Sequence, residues 1–269
     1  MRVGLFVTCL ADMMRPSIGF AALQLLQRAG CEVVVPQTQT CCGQPGWNAG
    51  DKPAARALAQ KLIGEFADCE HVVLPSGSCA GMIKTHYAEL LDDSPLWQSR
   101  AADLAARTHE LSDFLVNVLN LAAVPGQYQG CVTYHDACSG LRELGIKAQP
   151  RQLLAMLPGL RLAEMADCET CCGFGGAFSV KFGDISAKMA DSKCEHVQQM
   201  VQQQGASAVV LGDLGCMLNI EGRLRARGDT STAVLHWAEV LAGQQGVVSE
   251  SVSEAVSEST SGRASESEG

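Results

Sequence analysis

The chain carries one cysteine signature twice, and this duplication restricts its fold more than any other feature. Cys41-Cys42-Gly43 recurs 130 residues later as Cys171-Cys172-Gly173. Upstream, Cys9 and Cys138 lie 129 residues apart. Downstream, Ser76-Gly77-Ser78-Cys79 is matched by Asp213-Leu214-Gly215-Cys216 at an offset of 137. Three landmarks in one order, at nearly constant spacing, mark two copies of a single structural unit.

The patterning between the landmarks repeats as well. In the first copy, residues 2–7 form a short apolar run that ends near Cys9. Residues 16–29 place Ile18, Ala22, Leu25, Leu26 and Ala29 at helical spacing and stop at Gly30, a C-terminal signal. Residues 32–35 are β-branched and end at Pro36; residues 53–67 read as a helix with Pro in its first turn. Residues 71–74 read as a strand that runs into Ser76–Cys79, and 82–91 as helical. The second copy has strands at 129–134, 160–165 and 207–211, and helices at 150–157 and 184–204. Residues 97–121 read as mostly helical, and 235–241 as a last helix.

Each copy is thus strand–helix–strand–helix–strand, with cysteines just after the strands. That alternation predicts a parallel sheet with crossover helices. In such sheets, sites lie outside the carboxyl ends of the strands. The expected fold is α/β: two duplicated Rossmann-like parallel-sheet halves with cysteine loops at the strand ends. The expected divisions are a first repeat over 1–95, a helical connector over 96–127, a second repeat over 128–243 and a disordered Ser/Glu-rich tail over 244–269. The tail has no aromatic residue and no large aliphatic beyond Val, too little to offset the entropy of ordering it.

Charge and hydropathy narrow the function classes. The net charge of −9 argues against a general nucleic-acid binder, which needs a basic face. The apolar runs are short and broken by Asp, Glu, Pro or Gly, so no spanning helix is expected. Residues 1–10 make a poor signal peptide, with Asp12 close behind and no small-residue cleavage site. The expected compartment is the cytoplasm, where thiols stay reduced. Thirteen cysteines, an odd number, then point to metal or redox chemistry with some ordinary buried thiols.

Four thiols gather in each half: Cys9, Cys41, Cys42 and Cys79, and then Cys138, Cys171, Cys172 and Cys216. Four converging thiolates suit zinc or an iron–sulfur cluster. Zinc usually takes two Cys-x-x-Cys knuckles, which neither half has. Adjacent cysteines fit a multi-iron cluster better than one small ion, because neighbouring side chains diverge. Gly43, Gly173, Gly175 and Gly176 would let the backbone turn close to a bulky group. Cys31, Cys69, Cys131 and Cys194 read as core thiols, and Cys168 as a chance knuckle with Cys171. His135 and Asp136 face either a bound group or a structural partner. Arg15 and Arg142 could neutralise a centre or sit on the surface. Phe174, Trp47 and Met217 could shield it from water or simply pack.

The doubled pattern resembles the cysteine-rich (CCG) domain family of iron–sulfur redox subunits, nearest to its lactate-utilisation A group. The resemblance rests on residues 7–12, Thr40-Cys41-Cys42-Gly43-Gln44-Pro45, Pro75-Ser76-Gly77-Ser78-Cys79, Tyr134-His135-Asp136-Ala137-Cys138, Cys171-Cys172-Gly173-Phe174-Gly175-Gly176 and residues 213–220. It implies a cytoplasmic electron-transfer subunit, inactive alone, whose eight repeated cysteines hold [4Fe-4S] clusters. It also implies a ferredoxin-like iron–sulfur partner, a third small subunit and the oxidation of L-lactate to pyruvate. Another 2-hydroxy acid such as glycolate, a zinc-stabilised scaffold and thiol–disulfide chemistry are the alternatives. Heterodisulfide reductase, a relative within that family, ends each repeat with Cys-x-x-Cys. Here Ser76 and Asp213 replace the first cysteine of that pair, so its unusual cluster geometry does not carry over.

Overall fold

The computed structural model describes residues 1–244. The expected tail lies outside the described residues, apart from Gln244. Each copy folds as a four-stranded sheet. The first contains β1 (Arg2–Leu5), β2 (Glu32–Val34), β3 (His71–Leu74) and β4 (Thr108–Glu110). The second contains β5 (Gly130–Tyr134), β6 (Leu160–Leu162), β7 (Ala206–Leu211) and β8 (Ala233–His236). The strand orders are β2-β1-β3-β4 and β6-β5-β7-β8, and every pairing is parallel. The α/β duplicated architecture expected from the sequence is present.

Side-chain alternation along the strands builds three cores from two sheets. Val3, Leu5 and Val73 of the first sheet, with Val132, Tyr134, Ala208 and Val210 of the second, enter one central core. The residues between them point the other way. Val72 and Leu74 enter a core private to the first half, and Val209 and Leu211 one on the far side of the second sheet. The helix Trp237–Ala242, from the second half, packs on Ser17–Arg28 of the first. Arg15 ties the same junction: its Nε lies 3.2 Å from Glu239 Oε1 and its Nη1 3.8 Å from Glu221 Oε2. Arg15 is therefore a buried tie between the halves, neither a partner of a metal centre nor a free surface charge.

Several elements differ from the sequence expectation. Each half has a fourth strand. β4 lies within the stretch read as helix over 97–121, where the helix Pro95–Ala106 stops and Thr108 pairs with Val72. β8 takes up residues assigned to the last helix, which begins at Trp237. Edge strands of three and four residues are too short to show a period of two. The 13-residue helix Leu214–Ala226 has no counterpart in the sequence expectation, because its first turn is the cysteine motif itself.

Candidate metal centre

Four of the eight repeated cysteines lie in helical first turns rather than loops. Cys9 and Cys138 open the helices Cys9–Met14 and Cys138–Leu144. Cys79 and Cys216 sit near the starts of Gly77–Gly81 and Leu214–Ala226. Each of these short helices follows the carboxyl end of β1, β3, β5 or β7, the central strands of the two sheets. The Cys-Cys-Gly loops follow the edge strands β2 and β6. Gly43 and Gly173 adopt φ of 86° and 89°, so each loop reverses through a conformation that suits glycine.

The loops hold their thiols in the same way. The backbone N–H of Gly43 donates to Cys41 Sγ at 3.4 Å, and that of Gly173 to Cys171 Sγ at 3.4 Å. The carbonyl of the next cysteine is pinned from the helix beyond the fourth thiol. Tyr87 Oη donates to the Cys42 carbonyl and Asn219 Nδ2 to the Cys172 carbonyl, both at 2.8 Å. Tyr87 lies eight residues beyond Cys79 and Asn219 three beyond Cys216, so two non-equivalent positions do the same work. Hydrogen bonds from the Cys42 and Cys9 thiols hold Cys41 down to about 3. Cys138 and Cys172 do the same for Cys171, down to about 2. The donors are raised in turn, Cys9 and Cys42 by Cys41, and Cys138 and Cys172 by Cys171. In each set the middle thiol is thus the one whose surroundings most favour the thiolate, the form that binds metal.

All eight cysteines line a single cavity of about 570 Å³. The two strand-end edges face each other across it. The halves meet beside the thiols, where Gly77 approaches Gly140 so closely that a Cβ on Gly77 would lie 2.7 Å from Gly140 Cα. Ser76 and Asp213 bridge the junction: Ser76 Oγ donates to Asp213 Oδ2 at 3.1 Å, as does the backbone N–H of Ser78. Asp213 Oδ1 accepts from Gly215 N at 3.2 Å, capping the helix that carries Cys216.

The donor set fits a multi-metal cluster better than one ion. Tetrahedral zinc with four thiolates would bring every sulfur pair to about 3.8 Å, from a Zn–S bond of about 2.3 Å. One pair, Cys42 Sγ and Cys79 Sγ, is as close as a single ion would hold it, 3.3 Å apart. Yet among the described residues the only group of three donors with all ligand atoms within 4.8 Å is His135, Cys172 and Cys216. Neither set of four thiols closes that tightly on itself. Cys168 does not line the cavity, and Cys31, Cys69, Cys131 and Cys194 are buried in the packed interior.

The surroundings add residues that the sequence did not single out. Asp136 receives a bidentate pair from Arg151, at 2.8 and 2.9 Å, so it is tied within the second half. Lys193 is buried and donates to the Asp167 carbonyl; its place beside Ala190, Cys194 and Val197 on the inner face of a long helix was the available signal. His135 is fully buried, and burial, then the nearby Lys193 charge, push it down to about 3, so its ring is neutral. Arg142 is exposed. Phe174 lines the cavity, whereas Trp47 stacks on His86 and Met217 lies in the core.

The cysteine-rich domain family CCG matches residues 3–84 and 132–221, one stretch in each half. Lactate utilization protein A of Halalkalibacterium halodurans is 46% identical over 245 residues, covering 91% of this chain and 98% of its own length. Lactate utilization protein A of Bacillus subtilis is 44% identical over 241 residues, covering 90% and 99%. A hypothetical protein from Helicobacter pylori, solved by crystallography, shares the fold with a TM-score of 0.60 at 12% identity. The match covers 89% of this chain and about half (48%) of that one. No helix among the described residues is long and apolar enough to cross a membrane.

Proposed function

Because the chain belongs to the CCG cysteine-rich family, together with the bacterial Lactate utilization protein A sequences, we propose that it is an iron–sulfur electron-transfer subunit of a lactate-oxidising system. The observation that carries this reading is the convergence of all eight repeated cysteines on one cavity. Cys9, Cys41, Cys42 and Cys79 would hold one cluster, and Cys138, Cys171, Cys172 and Cys216 the other. A bound [4Fe-4S] cluster supplies one-electron transfer.

The chain's own residues do the rest. The N–H groups of Gly43 and Gly173 point at thiolate sulfur and stabilise its negative charge. Leu10, Phe174 and Val180 give the cavity apolar walls. An electron carrier of this kind needs partners. The reading assigns it a ferredoxin-like iron–sulfur subunit and a third small subunit, with L-lactate oxidised to pyruvate by the assembly in the cytoplasm. The repeats would run over residues 1–95 and 128–243, with 96–127 between them.

Anaerobic purification followed by iron, acid-labile sulfide and zinc analysis tests the metal assignment. The expected result is about eight iron and eight sulfide per chain, as two four-iron clusters require. Stoichiometric zinc without sulfide would overturn it. Loss of growth on L-lactate in a deletion strain, restored by the wild-type chain but not by Cys41→Ala or Cys171→Ala, tests the pathway. Normal growth of the deletion strain would remove the lactate assignment.

A further inference from the structure

The two cysteine sites are not equivalent, and the difference is one side chain. His135 is fully buried, and neither ring nitrogen has a hydrogen-bond partner. A buried polar group left unpaired costs about 1–3 kcal/mol. A ligating nitrogen of that ring, Cys172 Sγ and Cys216 Sγ all lie within 4.8 Å of one another. Such a triangle is the arrangement of donors around a metal. The neutral imidazole has one nitrogen with a free lone pair, and imidazole is an accepted ligand for iron.

The first half shows what the same position looks like without that role. By the 129-residue offset, His135 corresponds to Phe6. Phe6 is also fully buried and packs edge-on against Phe66, with ring centroids 5.9 Å apart. A phenyl ring fills this place in the fold with no polar atom to satisfy. The imidazole of the second half instead brings a ring nitrogen within 4.8 Å of Cys172 Sγ and Cys216 Sγ.

We propose that a ring nitrogen of His135 is a direct donor to the metal centre of the second half, making it a mixed histidine–cysteine site opposite an all-cysteine one. This rests on the iron–sulfur reading above: with Cys138, Cys171, Cys172 and Cys216 each on one iron, His135 would be a fifth donor to that centre and would give one iron a second protein ligand. The donor serves only one site, so the two centres facing the cavity are chemically distinct.

The test uses the anaerobically purified full chain, with histidine labelled with ¹⁵N, after iron and sulfide have been measured on the same sample. Pulsed EPR of the reduced protein is expected to show a ¹⁵N hyperfine coupling of the size given by iron-bound imidazole. In His135→Phe and in His135→Gln that coupling should vanish while most of the iron and sulfide remain. The Phe variant copies the ring that the first half already accommodates, and the Gln variant keeps a polar side chain should the Phe variant fold poorly. Iron and sulfide present without a histidine coupling, with only a weak remote coupling, or with a coupling that survives in both variants would overturn the assignment to His135 while leaving the cluster reading intact. Absence of iron and sulfide would overturn the cluster reading first and the histidine ligand with it.

Discussion

Cys41 and Cys171 hold the same station in the two halves. Each accepts a hydrogen bond from a glycine N–H at 3.4 Å, and each is followed by a cysteine whose carbonyl is pinned at 2.8 Å. Behind the first set lie Phe6 and Leu62; at the matching places behind the second lie His135 and Lys193. The duplication has kept the thiols and the backbone that aims them, while the second layer has diverged from hydrocarbon to nitrogen bases. The repeated motif therefore fixes where the thiols sit, and the packing behind them sets what other groups lie against them.

The largest expected effect tests whether the two sites are independent. Cys41→Ala should remove about half of the iron and sulfide, one four-iron cluster of two, and Cys171→Ala the other half. Loss of all iron from either single variant would mean that the cavity holds one shared centre. Metal analysis with the absorption spectrum reads the outcome.

The next comparison is the helix cap after each fourth strand. Glu110 and His236 are both fully buried and both accept from the backbone two residues on: Glu110 from Ser112 N at 2.8 Å and His236 Nδ1 from Ala238 N at 3.1 Å. Burial raises Glu110 to about 7 and lowers His236 to about 4, so the two caps respond to pH in opposite directions. The raised Glu110 contributes stability that is complete below the ordinary carboxyl range near 4.5 and is lost as pH rises through about 7. The lowered His236 contributes stability that is complete above 6.5 and is lost as pH falls toward about 4. Each contributes up to about 3 kcal/mol. Both contributions change over the same range, so in urea unfolding between pH 4 and 7 stability should rise with pH more steeply in Glu110→Gln and less steeply in His236→Asn than in the wild type. Equal slopes in both variants would break the contrast.

A smaller difference separates the loop glycines. Both have positive φ, so an alanine costs about 1–2 kcal/mol at either. At Gly173 the new Cβ would also lie 2.7 Å from the Ser186 carbonyl oxygen, against 3.2 Å from the Ala55 oxygen at Gly43. Gly173→Ala should therefore unfold about 1 kcal/mol more easily than Gly43→Ala, measured as the difference in urea midpoints. The last comparison lies in the bridge between the halves, where the two partners should differ by about 1 kcal/mol. Ser76→Ala removes one hydrogen bond and should cost about 1 kcal/mol; Asp213→Ala removes the partner of Ser76, Ser78 and Gly215 together and should cost about 2 kcal/mol. A reversed order would place the strength of this junction elsewhere.

Much of this was legible in the sequence. Cys9, Cys41, Cys42, Cys79 and their four counterparts stand out because the spacing repeats, and the strands and long helices because their apolar periods are local. Short edge strands escaped, because three residues of β4 carry no period. Arg15 was readable only as a charge near a cysteine, because its partners, Glu221 and Glu239, lie more than 200 residues away. Arg151 was missed because Asp136, its partner, is reached only across a turn of tertiary structure.

By itself, then, the sequence determined the duplication, the parallel α/β units and the set of eight thiols, since periodicity and motif spacing are properties of neighbouring residues. Only the tertiary structure decided that the two strand-end edges share one cavity and that His135, not merely a neighbour of Cys138, lies against Cys172 and Cys216. Those outcomes depend on how two sheets dock through a common core and a glycine contact at Gly77 and Gly140, and side-chain complementarity between distant segments leaves no periodic trace along the chain.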